Sequence, residues 1–129
     1  MPVRRISPAL AALAAASIAG TAHGQSQFEV NQQAGSQYKA ADKALNATYA
    51  KLVAQASSGG KSRLRAAQRA WLKFRDSDCT AFAGSRGGSA YPMEFSLCLA
   101  ARTQARTKQL QAEIDCQEGD LSCGGFKQD

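Results

Sequence analysis

A glycine-rich segment between two cysteines constrains the fold of this chain most strongly. The apolar helical pattern of residues 71–79 (WLKFRDSDC) stops at residues 83–92 (AGSRGGSAYP) and resumes beyond them. Three glycines and a proline within ten residues cannot continue a helix. We therefore predict two helices joined by this loop, with Cys79 and Cys98 on either side of it.

The first 24 residues are predicted to be a secretory signal peptide. Arg4 and Arg5 form a positive n-region, an apolar stretch covers residues 6–19, and small residues at Ala22 and Gly24 suit a signal peptidase. The apolar stretch is shorter than the ~20 residues of a membrane-spanning helix. We expect cleavage after Gly24, or alternatively after Ala22, and export to the periplasm or the medium. No cysteine follows either site, so a lipid-anchored protein is not predicted.

The remaining 105 residues suit one small domain, whose core is marginal without cross-links. They keep 14 of the 16 basic residues and all 10 acidic ones, a net charge of +4. Because these charges appear interleaved along the chain, weak attraction to anionic surfaces is expected but a nucleic-acid interface is not. The single histidine, His23, is removed with the signal, which excludes most histidine chemistry.

Four cysteines remain, and in an exported chain an even count predicts disulfides. Three pairings exist. The pairing that closes two short loops joins Cys79 to Cys98 across the glycine loop and Cys116 to Cys123 across a tight C-terminal loop. Each bridge is expected to stabilise the folded protein by about 3 kcal/mol or less. A metal site is not predicted, because six residues separate Cys116 from Cys123 and no histidine is left as a ligand.

Hydrophobic spacing predicts three helices and no strand. The class is all-α, a small disulfide-stapled bundle of about three antiparallel helices. The predicted segments are a flexible polar N-terminus at 25–33, a helical domain at 34–115 with helices near 34–56, 62–82 and from 93 onward, a turn at 57–60, and a disulfide-closed tail at 116–129.

A three-or-four residue spacing marks the inward face of each predicted helix. The inward positions are Tyr38, Ala41, Leu45, Tyr49, Leu52 and Ala56, then Leu64, Ala67, Trp71, Phe74 or Arg75, Asp78 and Phe82, and finally Leu97, Ala101, Gln104 or Ala105, Leu110 and Ile114. The expected core anchors among them are Leu45, Tyr49, Trp71, Leu97 and Leu110.

No catalytic site and no cofactor are predicted. Asp76 and Asp78 point in different directions on a helix, so they cannot flank one substrate bond. No mature histidine remains to activate a nucleophile. We predict instead a structural polar lock near the Cys79–Cys98 bridge. Its members are Arg75, Asp76, Asp78, Arg102 and Arg106.

The glycine loop admits three interpretations. A phosphate-binding loop is disfavoured, because the segment lacks a Gly-Lys-Ser/Thr ending and follows no strand. A simple disulfide-tethered crossover is the second interpretation. Partner recognition is the third, since a loop braced at both ends presents Arg86, Ser89 and Tyr91 at low ordering cost.

The segments QRAWLKFRDSDC and GGSAYPMEFSLCLAARTQARTKQL together resemble the signature of the LprI-type lysozyme-inhibitor domain, a family of small exported bacterial proteins. The resemblance covers about residues 33–112, includes ADKALNATYAKL in the first helix, and leaves the tail as an addition. It implies a helical domain with Cys79–Cys98 as the family bridge and a lysozyme as the partner. The matching positions are Gln68, Trp71, Arg75, Asp76, Cys79, Gly88, Ser89, Pro92, Met93, Cys98, Leu99, Thr103, Arg106 and Leu110.

The resulting hypothesis is an inhibitor that acts by binding. The loop at 84–92 would cover the glycan cleft of lysozyme, where Arg86 could pair with the catalytic acids. A +4 inhibitor gains no long-range steering toward a basic lysozyme. Because both proteins would be positively charged, a non-inhibitory alternative stays open. In this alternative the protein is a cell-envelope binding or structural module that is attracted to anionic wall polymers or lipids.

Overall fold

Three helices account for most of the chain in a computed structural model that describes residues 24–117 and 119–129. They are α1 (Gln27–Gln55), α2 (Ser58–Ala83) and α3 (Tyr91–Asp115), and no strand occurs in the described part of the chain. The predicted all-α class is confirmed. No helix in these two ranges has the length and apolar character needed to cross a membrane. The predicted signal peptide, apart from Gly24, lies outside the described residues.

Helices α1 and α2 begin earlier than predicted because serine side chains cap them. Ser26 Oγ accepts from the Glu29 backbone N–H at 3.2 Å, and the Glu29 carboxylate accepts from the Ser26 N–H at 2.9 Å. This capping box starts α1 at Gln27, so most of the segment 25–33 is helical and not irregular. Likewise, Ser57 Oγ accepts from the Gly60 N–H at 2.9 Å. Residues 58–60 therefore form the first turn of α2.

The three helices run up, down and up. Asn31, near the start of α1, donates its side-chain N–H to the Ser89 carbonyl just before α3, at 3.2 Å, so α1 and α3 begin at the same end. Helix α2 runs the other way, because its later residue Asp78 contacts Arg102 while its earlier residue Gln68 contacts Arg106. Neighbouring helices along the chain are thus antiparallel.

The core consists of two clusters at different heights of the bundle. Four leucines from all three helices form the first, and burying each contributes about 1.5–3 kcal/mol. The second surrounds the buried Cys79, with Cys98 and Leu99 of α3. The first cluster contains Leu45, Leu52, Leu64 and Leu110, and the partly buried Tyr49, Val53, Trp71, Ile114 and Phe126 pack against it.

The inward face of α3 differs from the predicted one. Leu97, expected as a core anchor, is 40 % exposed, whereas its neighbours Cys98 and Leu99 are buried. The bond from Cys98 to the fully buried Cys79 turns Cys98 toward the core. Successive residues of an α-helix are about 100° apart around its axis, so Leu97 is rotated away from the core. Three further positions of α3 that were expected to face inward are also exposed, namely Ala101, Gln104 and Ala105.

Helix α2 also buries a different set of residues from the predicted one. Phe74 and Phe82 are 60 % and 70 % exposed, and Ala67 is exposed as well. The polar residues Gln68 and Arg75 occupy the buried positions in their place. Arg75 was one of the two alternatives predicted to face inward at this point, whereas apolar spacing missed Gln68. Both can be buried because they form side-chain hydrogen bonds with α3.

The C-terminal tail packs against the turn between α1 and α2. The Ser57 N–H donates to the Phe126 carbonyl at 3.0 Å, and Arg63 donates to the carbonyls of Gly125 and Gln128 at 2.6 and 2.7 Å. Hydrogen bonds from Ser57 and then Gly59 lower the pKa of the Asp129 carboxyl. The tail therefore closes one end of the bundle in addition to carrying its own bridge.

Gly60 makes this docking possible, and Gly60→Ala is expected to release the tail. A Cβ at residue 60 would overlap the Phe126 carbonyl, and a helical backbone cannot yield to it. We expect a loss of about 1–3 kcal/mol in stability. Trypsin should cleave faster after the half-buried Lys127, as measured by mass spectrometry.

Gly35→Ala is the matched control for this substitution. Gly35 lies within α1, and apart from its chain neighbours and the nearby backbone of α1 no atom lies within 4 Å of the position that an alanine methyl group would take, so alanine is expected to stabilise by about 0.5–1 kcal/mol. Equal tryptic cleavage of the Gly60→Ala variant and the parent protein would contradict the docking role.

Candidate functional site

The loop at residues 84–90 joins α2 to α3 and is held at its base by a disulfide. Cys79 and Cys98 are bonded with Cα atoms 5.5 Å apart, which fixes the end of α2 beside the second turn of α3. Gly84 ends α2 with φ +71°, a left-handed conformation that favours glycine. Both ends of the loop therefore have defined positions.

Contacts within the loop and to α1 brace it further. The Gly88 N–H donates to Ser85 O at 3.2 Å, and the Tyr91 N–H donates to Gly88 O at 3.1 Å. The Asn31 side chain of α1 donates to the Ser89 carbonyl. Through these bonds the loop is attached to α1 as well as to the two helices it connects, which lowers the entropy cost of presenting it to a partner.

The three residues predicted to contact a partner differ in accessibility. Arg86 is exposed and forms no ion pair with any described carboxylate. Ser89 is exposed, although its carbonyl is engaged by Asn31. Tyr91 is half-buried and stacks on Phe95 with ring centroids 5.6 Å apart. Arg86 and the Ser89 hydroxyl are therefore free for a partner, whereas Tyr91 partly supports the loop.

Arg75 occupies the junction of all three helices. Its side chain is 6 % exposed and pairs with Asp76 at 2.8 Å and, more distantly, with Asp42 of α1 at 3.6 Å. It donates to Thr103 Oγ1 of α3 at 3.3 Å. Its guanidinium also lies 5.4 Å from the ring centroid of Tyr38. One buried cation thus links α1, α2 and α3.

Trp71 contacts two guanidinium groups. The ring centroid lies 5.4 Å from Arg75 Cζ and 5.7 Å from Arg106 Cζ, both within cation–π range. Arg106 also donates to Gln68 Oε1 at 3.1 Å. Burial lowers the pKa of Arg106, and the negative charge of Glu113 opposes this effect.

The five residues of the predicted polar lock lie in three separate arrangements. Arg75 and Asp76 form the junction, Arg106 binds Gln68, and Asp78 pairs with Arg102 at 2.8 Å on a more exposed surface. Sequence reasoning missed Asp42 of α1, whereas Thr103 of α3 is one of the positions that the family resemblance singles out. A polar residue beside the apolar stripe of α1 was the one available signal for Asp42.

The chemistry of this region suits binding. In the part of the chain that the structure describes, two groups of side chains are spaced closely enough to hold a metal ion, but the cysteines in both are bonded in disulfides. A disulfide sulfur does not provide the thiolate that metals bind. The groups are Asp78, Cys79 and Cys98, and Cys116, Asp120 and Cys123. What the loop does offer is a free guanidinium on a braced support.

Comparisons with known proteins agree with this architecture. Residues 18–110 match the family model described as lysozyme inhibitor LprI. An uncharacterized protein, R02472, of Rhizobium meliloti (strain 1021) is 39 % identical over 108 residues, covering 72 % of this chain and 77 % of the relative. The crystal structure of a DUF1311 family protein from Pseudomonas putida KT2440 superposes with a TM-score of 0.61 at 25 % identity, covering 65 % of this chain and 89 % of that one.

Proposed function

The chain belongs to the LprI lysozyme-inhibitor family, and from this membership we propose that it is an exported protein that binds a lysozyme and blocks its glycan cleft. It acts by occupying the enzyme and has no catalytic step of its own. The observation that supports this most directly is the exposed Arg86 on a loop anchored by the Cys79–Cys98 bridge and by Asn31.

The mechanism follows from the chemistry of the enzyme. Lysozymes cleave the glycan with two carboxyl groups that lie in an open cleft. A guanidinium can donate two parallel hydrogen bonds to a carboxylate, and such charge-assisted bonds are roughly twice as strong as neutral ones. Arg86 inserted into the cleft would pair with these acids while the rest of the loop excludes substrate.

The braced loop also accounts for binding without long-range attraction. Arg86 is the single charged residue between positions 84 and 90, and the ion pair it offers acts at short range. A preformed loop loses little conformational entropy on binding, so fewer favourable contacts are needed for a given affinity. Inhibition of this kind is expected to persist at moderate salt.

Arg86→Ala is expected to weaken inhibition at least tenfold, because a hydrogen bond to a charged group contributes about 1.5–3 kcal/mol and about 1.4 kcal/mol corresponds to tenfold. The assay is lysis of cell walls by several lysozyme types, titrated with oxidised protein comprising residues 25–129. The melting temperature should not change, because Arg86 is exposed and has no described ion-pair partner.

Lys108→Ala is the matched control, since it removes the same charge from an exposed position on α3. It should inhibit as well as the parent protein. Equal inhibition by Arg86→Ala and the parent would reject the loop mechanism. Absence of inhibition toward every lysozyme type would reject the inhibitor function and favour the envelope-binding alternative.

A further inference from the structure

The first two thirds of α2 carry positive charge without compensation. Residues 58–75 contain six basic residues and no acidic one, and the acids Asp76 and Asp78 follow only at the end. Arg63 is engaged by the tail, and Arg75 is buried at the helix junction. The sequence as a whole suggested that basic and acidic residues are interleaved. On α2, however, the basic residues are segregated from the acidic ones.

Four of these cations form a row along α2. Lys61, Arg65, Arg69 and Lys73 are spaced four residues apart, which places each about one turn beyond the last and gives a length of roughly 18 Å. Arg65, Arg69 and Lys73 are exposed, and Lys61 is half-buried. Within the described ranges none of the four side chains forms an ion pair. We call these four residues the α2 cation row.

Helix stability does not explain the row. Like charges four residues apart repel each other and destabilise a helix. A cation near the N-terminus of a helix, such as Lys61, also opposes the positive end of the helix macrodipole. The row therefore weakens the helix that carries it, which points to a role outside the fold.

We propose that the α2 cation row docks the protein on the surface of a membrane that contains anionic phospholipids. The row lies along one helix and is convex, so a planar array of headgroups can contact all four cations together. A single polymer strand is held better by a groove with cations on both sides. Charge complementarity thus favours the membrane surface as the occupant.

Docking at the row is electrostatic and does not involve insertion. The exposed residues between the cations are small, as at Ser62, Ala66 and Ala70, and the exposed Phe74 stands alone at the end of the row. Attraction of basic residues to an anionic leaflet decays within a Debye length, so the association is reversible and sensitive to salt.

The docked protein keeps its loop free. Lys73 and Gly84 are 11 residues apart along α2, or about 16 Å. The row can therefore hold the protein at the envelope while residues 84–90 remain accessible. This inference does not depend on lysozyme inhibition.

The test is co-sedimentation with vesicles of mixed phosphatidylglycerol and phosphatidylcholine. The double variant Arg65→Gln/Arg69→Gln should lower the partition constant about 25-fold, fivefold for each cation. Binding of the parent protein should fall steeply with added salt, and vesicles of phosphatidylcholine alone should not bind it. Lysozyme inhibition by the double variant should be unchanged.

The double variant Lys43→Gln/Lys108→Gln is the control, since it makes the same change in net charge at exposed positions of α1 and α3. It should lower partition less than fivefold. An equal loss in both double variants would overturn the row as the docking site. Binding of the parent to soluble polyphosphate without binding to the anionic vesicles would overturn the membrane as the occupant.

Discussion

Replacing both Cys79 and Cys98 with alanine is expected to lower the stability of the oxidised protein by about 3 kcal/mol. The bridge spans 19 residues, so its loss frees a loop in the unfolded chain. Both sulfurs also belong to the second core cluster, where Leu99, Tyr38 and Phe95 pack around them. For a domain of this size the melting temperature should fall by roughly 15 °C.

Thermal denaturation followed by circular dichroism measures this change. The double variant Cys116→Ala/Cys123→Ala is the control, because its bridge spans only 7 residues and its cysteines are half-buried. It should cost about 2 kcal/mol by the same loop relation. If the C-terminal pair proves the more stabilising, the braced loop is not the main cross-linked element of the fold.

Replacing Arg75 with methionine is expected to cost about 3 kcal/mol. Asp42 and Asp76 have side chains 39 % and 58 % exposed, so water screens the two ion pairs and they supply little of this loss. Most of it comes from the hydrogen bond to the fully buried Thr103 and from the lost contacts with the aromatic rings. Methionine fills part of the volume but donates no hydrogen bond.

Arg102→Met distinguishes this buried role from that of an ordinary surface pair. Arg102 also binds an aspartate at 2.8 Å, yet its side chain is 52 % exposed, so less than about 1 kcal/mol should be lost. Urea denaturation of both variants gives the two values, and Arg75→Lys should fall between them because lysine keeps the charge without the planar donor set. Similar losses in the two methionine variants would contradict the junction role.

Much of the fold was predictable because it depends on short-range features. Helical spacing, the glycine loop and the even cysteine count predicted three helices and two bridges, and the structure contains both bridges. The early start of α1 was also encoded locally, since Ser26 and Glu29 have the spacing of a capping box.

The candidate site was predictable only in part. The position of Arg86 on a braced loop follows from the residues around it, and its exposure agrees with that expectation. The partners of Arg75 do not follow from local sequence, because Asp42 and Thr103 lie 33 and 28 residues away along the chain. Such partners are brought together by helix packing.

The sequence by itself determined the helices, the loop between the cysteines and the family, because each depends on neighbouring residues or on a motif. The tertiary structure alone decided which face of α3 turns inward and where the tail docks. Helical spacing leaves an uncertainty of one residue, about 100°, which is resolved only when Cys98 and Leu99 pack against Cys79 and Tyr38 of the other two helices. The tail position depends on Gly60 leaving room for Phe126, a contact between residues 66 positions apart that no local pattern specifies.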